Sequence, residues 1–198
     1  MITIGLTGGI ASGKSEVGRM LAAKGAHVVD ADRVAHSVYA PGTEGYARVI
    51  EAFGNEVVAE DGTIDRRKLG AIVFSQPDRL KQLTDIVWPL TGQALADLIR
   101  SEREAGRDIL VIEAALLPEA GWKRLMDLVW LVRTPTERAR ERVMKRDGLS
   151  AEATEARLNA RQAIDPAIAE LVIDNTGDLP DLQRAVDAAW LTLRRNAG

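Results

Sequence analysis

The sequence predicts an α/β fold, a parallel sheet flanked by helices on both faces. Three observations carry this. Strand-like apolar runs alternate with stretches of helical period along the chain. Two of those runs, residues 108–113 and 128–132, are dense enough to be strands buried on both faces, as parallel strands are. The first run stops at a cluster of glycines that leads straight into a helical pattern.

The elements follow in order. Residues 2–6 are apolar with β-branched members and read as the first strand. Residues 15–24 place Val17, Met20 and Leu21 on one helix face, and Gly25 closes the helix. Residues 26–29 read as a second strand, ending in Asp30-Ala31-Asp32. Helices are expected over residues 34–39, 46–53 and 65–74, with turns at Pro41-Gly42 and Asp61-Gly62. Residues 78–104 carry a long helical pattern that Pro89 should interrupt. Beyond the two dense strands come helical patterns after Pro135 and Ser150, a last strand at 171–173 and a closing helix at 182–193. The helical matter between the second and third strands, about residues 33–105, is too large for a plain crossover. It is expected to form a subdomain over the carboxyl ends of the strands, where open sheets bind ligands. Trp122 and Trp190 are expected in the core, because aromatics at helical spacing pack.

The 198 residues suit one domain with a sizeable core. Lys plus Arg number 26 and Asp plus Glu 29, a net charge of −3, which excludes a chain that binds nucleic acid or anionic lipid by bulk charge. The absence of cysteine excludes disulfides, thiolate metal sites and cysteine nucleophiles. His27 and His36 are the only histidines, which argues against a multi-histidine zinc site. The first residues lack the basic and apolar regions of a signal peptide, and the longest apolar run, residues 109–117, is broken by Glu113 and too short for a bilayer. The expectation is a cytoplasmic protein acting on small molecules, with no nucleic-acid or membrane partner.

Residues 8–15, Gly8-Gly9-Ile10-Ala11-Ser12-Gly13-Lys14-Ser15, fit the pattern Gly-x-x-x-x-Gly-Lys-[Ser/Thr]. Backbone N–H groups of such a loop wrap a phosphate, and the following helix points its N-terminus at the anion. Lys14 would reach the β- and γ-phosphates, and the Ser15 hydroxyl would hold Mg²⁺. Four fixed positions match by accident in a chain this long with a probability of about 1%, and the flanking strand and helix lower it further. The fold expected is therefore that of a P-loop NTPase.

A guanine-reading Asn-Lys-x-Asp is missing, which counts against a GTPase. Of the pair Asp30 and Asp32, one carboxylate is suited to take a proton from an attacking hydroxyl and the other to cap a helix. Arg138, Arg142 and Arg146 recur every fourth residue on one helix face and could clamp phosphates as a lid over about residues 135–163. The same arginines could instead pair with Glu137 and Glu141 on a solvated face.

With these motifs in place, the chain resembles the dephospho-CoA kinase family over nearly its whole length. The carriers are Leu6-Thr7-Gly8-Gly9-Ile10 running into Gly13-Lys14-Ser15, and Val29-Asp30-Ala31-Asp32 with Ala35. Next come Asp61-Gly62-Thr63-Ile64-Asp65-Arg66 with Leu69 and Phe74, then Leu116-Leu117 with Glu119. Last are the run from Arg142 to Asp147, Arg161-Gln162, and Asp174-Asn175-Thr176-Gly177. The resemblance implies ATP-dependent phosphorylation of the ribose 3′-hydroxyl of dephospho-CoA. It implies that Gly8, Gly9 and the loop from Ala11 to Glu16 hold ATP, that Arg146 belongs with them, and that the region of Asn175 lies by the adenine. Asp32 matches the family's base, with Thr7 beside it, Arg142 matches the lid arginine, and Arg66 belongs with the acceptor. The helical insert becomes the acceptor subdomain.

Three positions depart from the family's pattern. Glu16 stands where Thr is common, Trp88 precedes Pro89 where His is common, and the family's Asp-x-Pro-Leu-Leu reads Glu113-Ala114-Ala115-Leu116-Leu117. Glu16 is expected to face solvent. Glu113 keeps a charge at a strand end, where it could order Mg²⁺ through water or pair with an arginine. Two other readings keep a place. One is a small-molecule P-loop kinase of the shikimate kinase type, which also carries paired aspartates. The other is a non-catalytic nucleotide-sensing module, which has no need of a carboxylate at 32 or a mobile arginine helix.

Overall fold

The computed structural model describes residues 1–159 and 164–196. In chain order the regular elements are β1 (Ile2–Gly8), α1 (Lys14–Ala23), β2 (His27–Asp30), α2 (Ala31–Ser37), α3 (Glu44–Phe53), α4 (Arg66–Ser75) and α5 (Pro77–Glu104). They continue with β3 (Ile109–Glu113), β4 (Leu128–Arg133), α6 (Thr136–Asp147), α7 (Ala151–Asn159), β5 (Leu171–Asp174) and α8 (Leu179–Asn196). The five strands form one sheet in the order β2-β3-β1-β4-β5. β1 runs parallel to both β3 and β4, and β4 parallel to β5. The α/β fold expected from the sequence, a parallel sheet between helices, is what forms.

The chain divides into two compact units, residues 1–29 with 102–198, and residues 30–101. In the first unit, Ile4 and Leu6 of β1, Val111 of β3 and Trp130 and Val132 of β4 meet Val17 and Leu21 of α1 and Val186 and Leu193 of α8. β1 is buried from Thr3 to Gly8, as the centre of a parallel sheet must be. The register sets Leu6 beside Glu113 and Gly8 beside Val132, so the ends of β3 and β4 flank the glycine-rich turn. Trp122 is buried and Trp190 packs on this core, in keeping with their spacing.

The second unit has its own core of Val49, Phe53, Val57, Ile64, Leu69, Val73 and Ile86. Two of its helices, α3 and α4, start at side-chain caps. Thr43 Oγ1 accepts the N–H of Tyr46 at 3.1 Å to open α3. Asp65 accepts the N–H groups of Arg67 and Lys68, at 2.9 and 3.2 Å, to open α4. The turn at Asp61-Gly62 is closed by a bridge between Val58 and Ile64.

Two expectations are corrected. Pro89 does not interrupt its helix, because α5 runs unbroken through it from Pro77 to Glu104. Proline removes one N–H donor and crowds the carbonyl four residues earlier. Here Ile86, Val87, Thr91 and Gly92 are buried on either side of Pro89 and hold the helix in line. α2 begins at Ala31 rather than Val34, because Asp30 Oδ1 accepts the N–H of Asp32 at 2.8 Å and so starts the helix at once. The last residues of the expected lid, 160–163 with Arg161 and Gln162, lie outside the described residues.

Where α5 ends in the first unit, Glu102 Oε2 sits 2.7 Å from Nδ1 of His27 and 3.1 Å from Nε of Arg107. The His27 contact, then the Arg107 contact, hold the Glu102 carboxyl below the usual glutamate range. A carboxyl depressed in the folded state contributes stability above its unfolded pKa and loses it as pH falls through the folded value. Glu102→Gln should therefore lower the thermal midpoint by about 1–3 °C at neutral pH. Melting curves of the two proteins should converge as pH falls below the ordinary glutamate range, through the lowered folded pKa.

Candidate active site

The segment between β1 and α1 has no ladder of its own to hold it. Gly8 ends β1, Ser12 N–H donates to Gly9 O at 3.2 Å, and Gly13 caps α1 with φ 96°. Ala11, a non-glycine residue, also takes the left-handed region at φ 55°. The carbonyls of the loop are held from outside. Arg142 of α6 donates through NH1 to Ala11 O at 3.2 Å and to Ser12 O at 3.4 Å. Asn175, just past β5, donates through Nδ2 to Ser12 O at 2.8 Å and accepts Arg142 NH2 at 3.2 Å. With the carbonyls turned outward to these donors, the loop is shaped to enclose an anion at the N-terminus of α1.

Lys14 and Ser15, the first residues of α1, reach across to β3. Lys14 Nζ and Ser15 Oγ both donate to Glu113 Oε1, at 2.9 and 2.6 Å. The pairing follows from topology: Leu6 and Glu113 are register partners at the carboxyl end of adjacent parallel strands. The pairing puts lysine, hydroxyl and carboxylate on one another beside the loop. Of the two expectations for Glu113, the arginine partner gives way to Lys14.

The remaining side chains on this unit separate clearly. Thr7 is buried and its hydroxyl donates to Ala115 O at 3.4 Å. Glu16 turns to Arg19, whose hydrogen bonds hold its carboxyl below the usual range. On α6, Arg138 donates to Gly177 O at 2.8 Å, so two arginines one turn apart grip the segment after β5. Arg146 instead forms two bonds with Asp147, at 2.7 and 2.9 Å, and Asp147 also accepts Arg157 of α7 at 2.9 Å. Arg140 donates to both Glu137 and Glu155. The arginines of α6 are thus split: Arg142 and Arg138 serve the loop side, Arg140 reaches Glu155 of α7, and Arg146 pairs with Asp147, which in turn takes Arg157 of α7. Beside the loop a cavity of about 420 Å³ is lined by Gly9, Ile10, Ser12, Val132, Thr134 and Leu158.

In the second unit, Asp30 caps α2 and Asp32 is the second residue of that helix. One turn on, His36 accepts from Arg66 NH1 at 2.8 Å, with the ring edge-on to Tyr39 at 6.0 Å. Burial and then the Arg66 charge push the His36 pKa below its usual value, and Asp32 and Asp30 act against them. The lowered pKa favours the neutral ring, which accepts the Arg66 hydrogen bond. The geometry brings Ser12, Gly13, Lys14, Ser15, Arg142 and Asn175 together. It sets Glu16 and Arg146 on other partners. Sequence reasoning left two contacts unassigned, Glu113 on Lys14 and His36 on Arg66. The first had a signal in the strand pairing; the second joins residues 30 positions apart and had none.

No cluster of three or more acidic, histidine or cysteine side chains placed to hold a metal ion occurs among the described residues, and none of their helices is long and apolar enough to cross a membrane. The family model described as dephospho-CoA kinase matches residues 2–181. A dephospho-CoA kinase of Streptomyces avermitilis is 44% identical over 200 residues, covering 100% of this chain and 96% of its own. A solved dephospho-CoA kinase from Campylobacter jejuni superposes with a TM-score of 0.74 at 25% identity, covering 99% of this chain and 98% of that one. A shikimate kinase from Acinetobacter baumannii, solved with shikimate, reaches a TM-score of 0.55 at 18% identity over 98% of this chain and 94% of its own. That last likeness shows the P-loop kinase fold alone.

A Cβ built on Gly13 would lie 2.2 Å from Asn175 Nδ2, at a φ that L-residues avoid. Asn175 is buried and bonded to Ser12, so it cannot yield. Gly13→Ala should cost about 1–3 kcal/mol of stability without any ligand, read as a lowered midpoint in denaturant. Gly9→Ala, where a Cβ meets open space, should leave that midpoint within about 0.5 kcal/mol of the parent.

Proposed function

The chain belongs to the dephospho-CoA kinase family, and from that premise we propose that it phosphorylates the ribose 3′-hydroxyl of dephospho-CoA with ATP, giving coenzyme A and ADP, the last step of coenzyme A synthesis. The observation that carries this reading is a phosphate loop with its lysine and serine in place, in a chain matched end to end by dephospho-CoA kinases. The donor ATP binds along Gly8, Gly9 and Ala11 to Glu16, with Lys14 on the β- and γ-phosphates. Asn175 and Arg146 lie on the nucleotide side of the protein, the former through the loop it supports.

The step we assign is direct transfer. The 3′-oxygen bonds to the γ-phosphorus as the bond to the β,γ-bridging oxygen breaks, and ADP leaves with that electron pair. The hydroxyl proton passes to the Asp32 carboxylate, with Thr7 on the acceptor side. Lys14 and Arg142 stabilise the charge that moves toward the β-phosphate. Residues 33–105 serve as the acceptor subdomain, where Arg66 holds an anionic group of dephospho-CoA, and about residues 135–163 as the lid. Asp30 has a positioning role, since its side chain is committed to the α2 cap.

The oxygen pair Ser15 Oγ and Glu113 Oε1 suits a hard cation shared with ATP phosphates, and Mg²⁺ characteristically takes few protein ligands in such sites. Bound there, Mg²⁺ would neutralise phosphate charge. Ser15 would hold it, and Glu113 would orient Ser15 and release Lys14 to the nucleotide. We assign the reaction to small molecules in the cytoplasm, without nucleic acid or membrane; the slight net negative charge supports the absence of bulk binding to nucleic acid or anionic lipid.

An acceptor panel with ADP release as the readout tests the reading. Turnover with dephospho-CoA is expected; turnover only with another metabolite such as shikimate, or ATP binding without acceptor-dependent turnover, overturns it. Asp32→Asn should slow single turnover by about 10²–10⁴ while ATP affinity holds or rises. Equal rates for Asp32→Asn and the parent would remove Asp32 as the base. Glu113→Gln should raise the Mg²⁺ concentration for half-maximal turnover by about 10-fold or more, as loss of an outer-shell partner does.

A further inference from the structure

Asn175 is held by every polar atom it has. Its N–H donates to Arg133 O at 2.7 Å, and its carbonyl accepts the Thr134 hydroxyl at 2.9 Å. These two bonds lock the backbone of residue 175 to the end of β4. The side chain is spent as well: Oδ1 accepts Arg142 NH2 at 3.2 Å, and Nδ2 donates to Ser12 O at 2.8 Å. Only 4% of the residue is exposed. A side chain so placed has its amide plane fixed, and that plane meets the loop at its most constrained point. There Ala11 and Gly13 both have positive φ, and a Cβ on Gly13 would collide with Asn175 Nδ2.

Buried amides earn their cost only when their donors and acceptors are matched. The carbonyl of Ser12 is the clearest case. It receives Asn175 Nδ2 and Arg142 NH1 together, which turns it away from the side where the loop's N–H groups must converge on an anion. The peptide that carries this carbonyl also carries the N–H of Gly13, so fixing one fixes the other. Arg142 alone could pull the carbonyl outward, but its long side chain has rotamers to spare. Asn175 pins the guanidinium at the same time.

We propose that Asn175 is a positioning residue for the phosphate loop, orienting the Ser12–Gly13 peptide and Arg142 for the triphosphate, and that its side chain does not read the adenine base. This rests on the reading of residues 8–15 as an ATP phosphate loop, and not on the identity of the acceptor.

The test compares ATP with inorganic tripolyphosphate, which has the phosphates and no base. Asn175→Asp keeps the size and the oxygen facing Arg142, but sets an acceptor against Ser12 O. Affinities of both ligands are measured by titration calorimetry, with the thermal midpoint as the fold control. The expected result is a loss of about tenfold for ATP and the same factor for tripolyphosphate, the worth of one hydrogen bond to a well-ordered group. Asn175→Ser, which adds no charge, should show the same parallel loss. A loss for ATP alone, with tripolyphosphate unchanged, makes Asn175 a base contact and overturns the proposal. A lowered midpoint with both affinities unchanged makes it merely structural and overturns it too. If the parent protein binds neither ligand, the phosphate-loop reading fails, and the proposal falls with it. Turnover with dephospho-CoA enters none of these outcomes.

Discussion

The hydrogen bonds from Arg142 and Asn175 to the carbonyls of Ala11 and Ser12 are the constraint on which the rest of the site depends. A loop that binds phosphate with its N–H groups must turn its carbonyls elsewhere, and each carbonyl still needs a donor. Strands and helices solve that problem internally. This loop does so at Gly9, whose carbonyl takes the N–H of Ser12, but the donors for Ala11 and Ser12 come from α6 and from the segment after β5. The sheet order explains how. β4 lies beside β1 and β5 beside β4, so α6 and residue 175 both start from strand ends on the same side of the loop.

The other side of β1 supplies charge. Glu113 ends β3 next to Leu6 and takes both Lys14 and Ser15 on one oxygen. A lysine at 16% side-chain exposure beside a loop rich in N–H groups would be costly with no counter-ion. The carboxylate offsets that cost. The two flanks of β1 divide the labour: one fixes backbone, the other holds charge.

What was legible in the sequence is what short-range patterns encode. The phosphate loop, the aspartates after the second strand and the strand–helix alternation are local signals, and the fold class followed from them. The α2 start and the Pro89 helix went wrong for opposite reasons. At α2 a single cap, Asp30, outweighed the apolar spacing that pointed to Val34. At Pro89 burial of Ile86, Val87, Thr91 and Gly92 outweighed a local breaker. The helix spacing put Arg138, Arg142 and Arg146 on one face but could not say which of them reaches the loop, and the partners of Arg142 were not legible. The bond from Asn175 to Ser12 spans 163 positions and leaves no periodic trace. Likewise nothing in the helix pattern told Arg140, bound to Glu155, from Arg142, bound to the loop.

Glu113 shows how a departure from the family pattern is absorbed. Glutamate is one methylene longer than the aspartate at the matching place, so a carboxylate at that strand end reaches further toward α1. Its Oε1 meets Lys14 and Ser15, and its Oε2 must go somewhere. It goes to the surface of α1 at Gly18, where a Cβ would stand 3.1 Å from Oε2, tighter than ordinary van der Waals contact. Gly18 is buried, inside a helix, with no positive φ to call for glycine, and glycine there costs about 0.5–1 kcal/mol against alanine. Glycine there leaves Glu113 its space. A side chain at position 18 would crowd Glu113, whose other oxygen serves the first turn of α1 that Lys14 and Ser15 occupy.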